Sequence, residues 1–144
     1  MKRNKGKAKE NPFWKVVAAV SWRGTHYWKV VNTATGVARY VPQYIKVNGV
    51  NLIVTRHAAY RMAERRINVR TVKAVIREGE RFYDQRERHQ SYIAWDKKKR
   101  IAVALSPKDR WGKRTIKTVM DDVTENKVKE RVDEEDWVKR NWRL

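Results

Sequence analysis

Cysteine is absent from this chain, which excludes disulfides, thiolate metal sites and a thiol nucleophile. Acids are scarce: 16 against 35 lysines and arginines, a formal net charge of +19 over 144 residues. No apolar run approaches the roughly 20 residues that cross a bilayer, so no membrane is expected among the partners. The basic start, Met1 to Lys9, runs into Glu10-Asn11-Pro12 instead of an apolar segment, which is not a secretory signal. Residues 1–11 read as a disordered basic arm, and the expected location is cytoplasmic. Also lacking are a His-Glu-x-x-His pair, an Asp-x-Asp loop and a glycine-rich phosphate loop. Neither metal-dependent nor nucleotide hydrolysis is therefore expected, and no metal or cofactor. The Asp121-Asp122 pair does not change this, because neighbouring residues on a strand face opposite ways.

What is present is positive charge, unevenly placed. Residues 1–120 hold 29 bases against 8 acids, while the last 24 residues hold 6 against 8. A polyanion is the expected partner, nucleic acid first, and its binding surface should lie in the first five-sixths of the chain.

The periodicities predict an α+β chain in four parts. Over residues 12–51 the pattern is β. Trp14, Val16, Ala18, Val20 and Trp22 alternate with Lys15, Val17, Ala19 and Ser21, and His26–Val31, Val37–Val41, Tyr44–Val47 and Val50–Val54 follow between turns. This reads as a meander or small barrel. At Thr55, a plausible N-cap, the period becomes helical: Ala59, Met62, Ala63 and Ile67 form one stripe, and Val69, Val72, Val75 and Ile76 a second short helix ended at Gly79. Strands Arg81–Gln85, Ser91–Asp96, Arg100–Ser106 and Arg114–Asp121 then complete a unit of two helices on an antiparallel sheet, residues 52–121. Residues 122–144 read as a helical cap, with Val128, Val132, Val138 and Trp142 at amphipathic spacing, and Trp137 and Trp142 docking it.

Chemistry concentrates in the first helix. His57, Arg61 and Arg65 stand at i, i+4 and i+8 and share one side. An imidazole in line with two guanidiniums suits cleavage of a phosphodiester, and equally a face that only binds phosphate. The arginines disfavour protonation of His57, and Glu64 could pair with His57 or with an arginine. Other candidates for nucleic-acid contact are the charged turn Lys97-Lys98-Lys99 and the polar loop Arg110-Trp111-Gly112-Lys113-Arg114. Among the tryptophans, Trp111 is the one best placed to meet a ligand. Trp14 and Trp22 fit a core better than a stacking surface, and Trp28 fits either.

The run Thr-Arg-His57-Ala-Ala-Tyr-Arg61-Met-Ala-Glu-Arg65-Arg-Ile67-Asn, then Val72-Lys-Ala-Val-Ile76 and Gly79, resembles a family of small bacterial and mobile-element proteins. That family's helix reads His-x3-Arg-x2-Glu-Arg and is grouped with the barnase, EndoU, colicin and RelE-like ribonucleases. Arg100–Leu105 and Thr115–Met120 match its strand ending, and the resemblance covers about residues 52–121. It implies a metal-independent endoribonuclease, a toxin or phage or plasmid effector. His57 would be its general acid or base, Arg61 and Arg65 its phosphate ligands, and Thr118 a sheet residue facing the site. RNA would be favoured over DNA, and a cognate acidic inhibitor protein could be a partner. Two alternatives stand beside it: a non-catalytic nucleic-acid-binding protein and a protein-inhibiting interaction module.

Overall fold

The computed structural model describes residues 13–86 and 88–144, so the expected basic arm lies outside the described residues. Three strands open the fold: β1 (Trp14–Trp22), β2 (Thr25–Asn32) and β3 (Ala38–Pro42), paired antiparallel in that order. There follow β4 (Tyr44–Val47), β5 (Val50–Val54), α1 (Arg56–Arg65), α2 (Val69–Glu78), β6 (Glu80–Asp84), β7 (Ser91–Asp96), β8 (Ile101–Leu105), β9 (Thr115–Met120), α3 (Glu125–Asp133) and β10 (Trp137–Lys139). The second sheet has seven strands in the order β10-β6-β7-β8-β9-β5-β4, antiparallel except where β5 runs parallel to β9. The fold class is α+β, as the periodicities predict.

The N-terminal β segment divides where the sequence shows no break. The hairpin of β4 and β5 forms on Asn48-Gly49, both at positive φ (49° and 81°), which a primed turn requires. It does not join the first three strands. Ile53↔Thr115 and Val54↔Ile116 pair it into the large sheet instead, a contact about 60 residues away that no local signal announces.

Both central helices begin on side-chain caps. Thr55 accepts from the Ala58 amide at 3.0 Å and donates to the Lys117 carbonyl at 3.1 Å, so one hydroxyl starts α1 and ties it to β9. Asn68 accepts from the Thr71 amide at 2.8 Å. Ala59, Met62 and Ala63 of α1 and Val72, Val75 and Ile76 of α2 are buried with Val103, Leu105, Ile116 and Val119 of the sheet. Gly79 ends α2 as expected, but its φ is −71°, not left-handed. A glycine is needed there because a Cβ would lie 2.5 Å from the Val75 carbonyl oxygen and 2.8 Å from that of Trp95.

The other face of the sheet carries its own core, where Phe82, Ile93, Trp95, Ala102 and Ala104 meet Val128 of α3 and Trp137. The C-terminal segment departs from the expected helical cap. Only α3 is helical; Val138 pairs with Tyr83 in β10, and Trp142 continues into the core on the α1–α2 side. The Trp142 indole donates to the carbonyls of Phe82 (3.0 Å) and Ile93 (3.2 Å). Arg81 donates to the Trp142 carbonyl at 2.6 Å, and Arg114 to that of Arg143 at 2.6 Å. Trp137 thus packs with Val128 of α3 as expected, while Trp142, expected to dock the same helix, closes the opposite face of the sheet. Among the described residues no helix is long and apolar enough to cross a membrane.

Candidate functional site

The sheet face opposite α1 and α2 is only partly covered by α3, and a groove of about 510 Å³ opens there. Cross-strand register builds its floor. Phe82, Ile93, Ala104 and Thr118 stand in one row, Asp84 and Ser91 in the next. Ala104 pairs with Thr118 but Leu105 with Ile116, leaving Lys117 as the extra residue of a β-bulge. Ile116 and Val119 remain buried on the helix side, while Lys117 and Thr118 both line the groove.

Asp84 anchors the polar end. Only 2% of it is exposed. Its carboxylate accepts from Arg86 Nη2 (2.5 Å) and Nε (2.9 Å), and from the Trp137 indole (3.2 Å). Burial pushes this carboxyl up, but the Arg86 hydrogen bonds and the charges of Arg86 and His89 outweigh it and hold the group below its ordinary value. The same bonds raise Arg86. His89 Nδ1 stands 3.8 Å from Asp84 Oδ2, within ion-pair reach but beyond a hydrogen bond. Lys117 Nζ donates to the His89 carbonyl (2.7 Å) and to Ser91 Oγ (2.8 Å), so two of its three protons are placed and one is left for a ligand. Lys127 and Arg131 of α3 face the groove, each beside an acid: Asp122 at 3.3 Å and Asp136 at 3.2 Å. The lining holds four lysines and arginines against two acids, which favours an anion.

Of the four residues expected to be catalytic, only Thr118 lies in this groove. His57, Arg61 and Arg65 sit on α1, behind the other face of the sheet. His57 is exposed in a small depression with Trp14, Val16 and Tyr60, its ring centroid 6.1 Å from that of Tyr60. Glu64 takes the two arginines: Arg61 Nη1 lies 3.5 Å and Arg65 Nε 3.2 Å from its Oε1, and Arg65 also pairs with Asp121. The helical stripe is therefore partly neutralised, and the sheet separates it from Thr118.

The expected nucleic-acid contacts fall at opposite ends of the large sheet. At one end the Lys97–Lys99 turn joins β7 to β8, with Lys97 on Glu125 (3.0 Å) and Lys99 near Asp96 (3.6 Å). At the other end the loop bearing Arg110 and Trp111 joins β8 to β9, beside the β6–β7 turn that carries His89. Asp109 Oδ1 accepts from the amides of Trp111 (2.9 Å) and Lys113 (2.8 Å), and Arg110 stacks 4.3 Å over the Trp111 ring, which is 69% exposed. Lys113 is exposed in the same loop.

Two of these expectations need correction. Arg114 is 5% exposed; it stacks over Tyr92 and is spent on carbonyls of the C-terminal segment, with burial lowering its pKa. Trp28 faces inward, its indole donating to the Val54 carbonyl at 2.8 Å, and so joins the first sheet to β5. Asp84, Arg86, Lys117, Lys127 and Arg131 were not marked by the sequence. A single Asp or Lys in a strand carries no signal until the bulge and the register place it.

Residues 54–121 match the family described as a domain of unknown function, DUF4258. The DUF4258 span runs from the end of β5 through β9. It holds both the His57 stripe and the strand side of the groove, while the first sheet, α3 and β10 lie outside it. No curated protein and no solved structure matches the chain.

Proposed function

We propose that this chain is a metal-independent ribonuclease whose reacting surface is the sheet groove. The observation that carries the reading is the joint placement of His89, its carboxylate neighbour Asp84 and the held Lys117 beside Thr118 in one cationic groove. In the reaction the RNA 2′-hydroxyl attacks the adjacent phosphorus as His89 takes its proton. The bond from phosphorus to the 2′-oxygen forms and that to the 5′-oxygen breaks. The leaving oxygen gains a proton from water, and the hydroxide so formed takes the proton held by His89, giving a 2′,3′-cyclic phosphate and a 5′-hydroxyl and restoring the neutral imidazole. Lys117 and Arg131 would meet the charge that grows on the phosphoryl oxygens, and Asp84 would steady the imidazolium. The resemblance of residues 52–121 to metal-free ribonucleases implies the same class of chemistry but with His57 as its general acid or base; of the residues it implies, only Thr118 lies in the groove.

Binding without cleavage is the second reading. It is favoured by the ion pairs that already occupy Arg86, Lys127 and Arg131. Incubation in EDTA with labelled single-stranded RNA and its 2′-deoxy counterpart separates the two. The proposal expects cleavage of RNA alone, lost in His89→Ala and retained in His57→Ala. Loss in His57→Ala alone would move the site to the helix. Intact RNA bound in a salt-sensitive way would leave a binding protein.

A further inference from the structure

Between Glu10 and Glu64 the chain has no acidic residue but seven lysines and arginines, and the first sheet lies in this stretch. Its inner face, with Trp14, Val30 and Val41, packs into the core. Among the described residues no element covers its outer face, yet that face is not polar. Trp22 is 63% and Tyr40 54% exposed, and together with Val20, Tyr27 and Lys29 they border an open depression of about 490 Å³. Register places Val20 opposite Tyr27 and Lys29 opposite Tyr40, so a cation lies among the rings. Arg23 stacks 4.7 Å from the Trp22 ring centre, and Lys15 joins the same face opposite Val31.

We infer that this outer face binds single-stranded nucleic acid, with Trp22 and Tyr40 stacking on bases and Lys15, Arg23 and Lys29 meeting phosphates. Rings on an open sheet face with interleaved cations suit unpaired bases, whose faces are open, and not a duplex, whose faces are already stacked. An anionic membrane fits less well. Inserting these rings would carry Lys29, half-buried in the middle of the patch, toward hydrocarbon, whereas cations of membrane-seated surfaces lie at the rim. With no acid anywhere in the stretch, the patch has no internal counter-charge, which leaves it complementary to a polyanion. This surface stands whether or not the groove cleaves.

The test is fluorescence anisotropy of the full chain with a labelled 2′-O-methyl RNA of about 12 nucleotides, a length set by typical stacking sites. Its blocked 2′-oxygen separates binding from cleavage, so failure of the ribonuclease reading leaves the titration unaffected. Trp22→Ala and Tyr40→Ala should each weaken binding roughly tenfold. Trp22→Phe should keep most of the affinity, which loss of folding would not allow, and a matched duplex should bind more weakly. Unchanged affinity in the double alanine variant would overturn the inference. So would phosphatidylserine vesicles that bind through Trp22 and Tyr40 while the oligonucleotide does not.

Discussion

Asp84 is the residue on which the groove's charge balance turns. Its native pKa lies below the ordinary carboxylate value of about 3.9 because Arg86 and His89 favour the ionised form more than burial opposes it. Between the depressed native value and the ordinary unfolded one, the unfolded chain binds more protons than the native chain. Stability therefore rises with pH through that window, and this contribution is lost as pH falls through the native pKa. Asp84→Asn should cost about 1–3 kcal/mol at neutral pH, the charged hydrogen bonds to Arg86 being weakened. It should also flatten part of the acid limb. Urea midpoints measured for both proteins from neutral pH into the acid range check this, and parallel curves would exclude Asp84 as a source of the acid sensitivity. His89 illustrates the limits of reading single residues. With three histidines and no long-range information, His57 stands out by helical spacing, whereas His89 gains neighbours only when β6 and β9 converge.

At the scale of elements, the predicted strands and both central helices fall within a residue or two of their places, because period and capping residues are local signals. Two bulges account for much of what was not legible. In β1 the register slips between Val16 and Ala18, so Trp14 and Trp22, an even number of residues apart, come to lie on opposite faces. Trp14 enters the core and Trp22 meets solvent, against the expectation that both are core. In β9 the extra residue turns Lys117 to the same side as Thr118 and so completes the groove. Nothing local in either stretch marks the slip. Gly79 offers a test of contact between elements. Its backbone suits any residue, and alanine there would restrict the unfolded chain, a gain of about 0.4–1 kcal/mol. The added Cβ, however, would meet backbone atoms of α2 and β7 at 2.5–2.9 Å, and these cannot yield as a flexible side chain can. Overpacking of this kind costs about 1–3 kcal/mol or more. Gly79→Ala should thus lower the urea midpoint despite the entropic gain, and a raised midpoint would mean that α2 and β7 part easily.

At the scale of the whole molecule, stability depends on the eight residues 137–144, which the helical reading of the tail misplaced. Trp137 lies in the core on the groove side and bonds Asp84; Trp142 lies in the core on the other side, between the guanidiniums of Arg81 and Arg114. Both arginines have lowered pKa values, burial being the first cause, and in both the acceptors include carbonyls of the last three residues. Ending the chain after Asp136 removes two buried indoles at once, each worth about 3–5 kcal/mol by analogy with large-to-small core changes. It also strips acceptors from buried Arg114 and half-buried Arg81, adding a further cost. The two indoles alone come to about 6–10 kcal/mol, comparable to the roughly 5–15 kcal/mol by which a domain of this size is ordinarily stable. The truncated chain should therefore lose its cooperative urea transition and its near-ultraviolet tryptophan signal, although the DUF4258 span, both central helices and strands β6 to β9 of the groove are intact. Should it unfold cooperatively at an unchanged midpoint, the chain up to Asp136 would form a self-sufficient core and the C-terminal clasp would be an accessory.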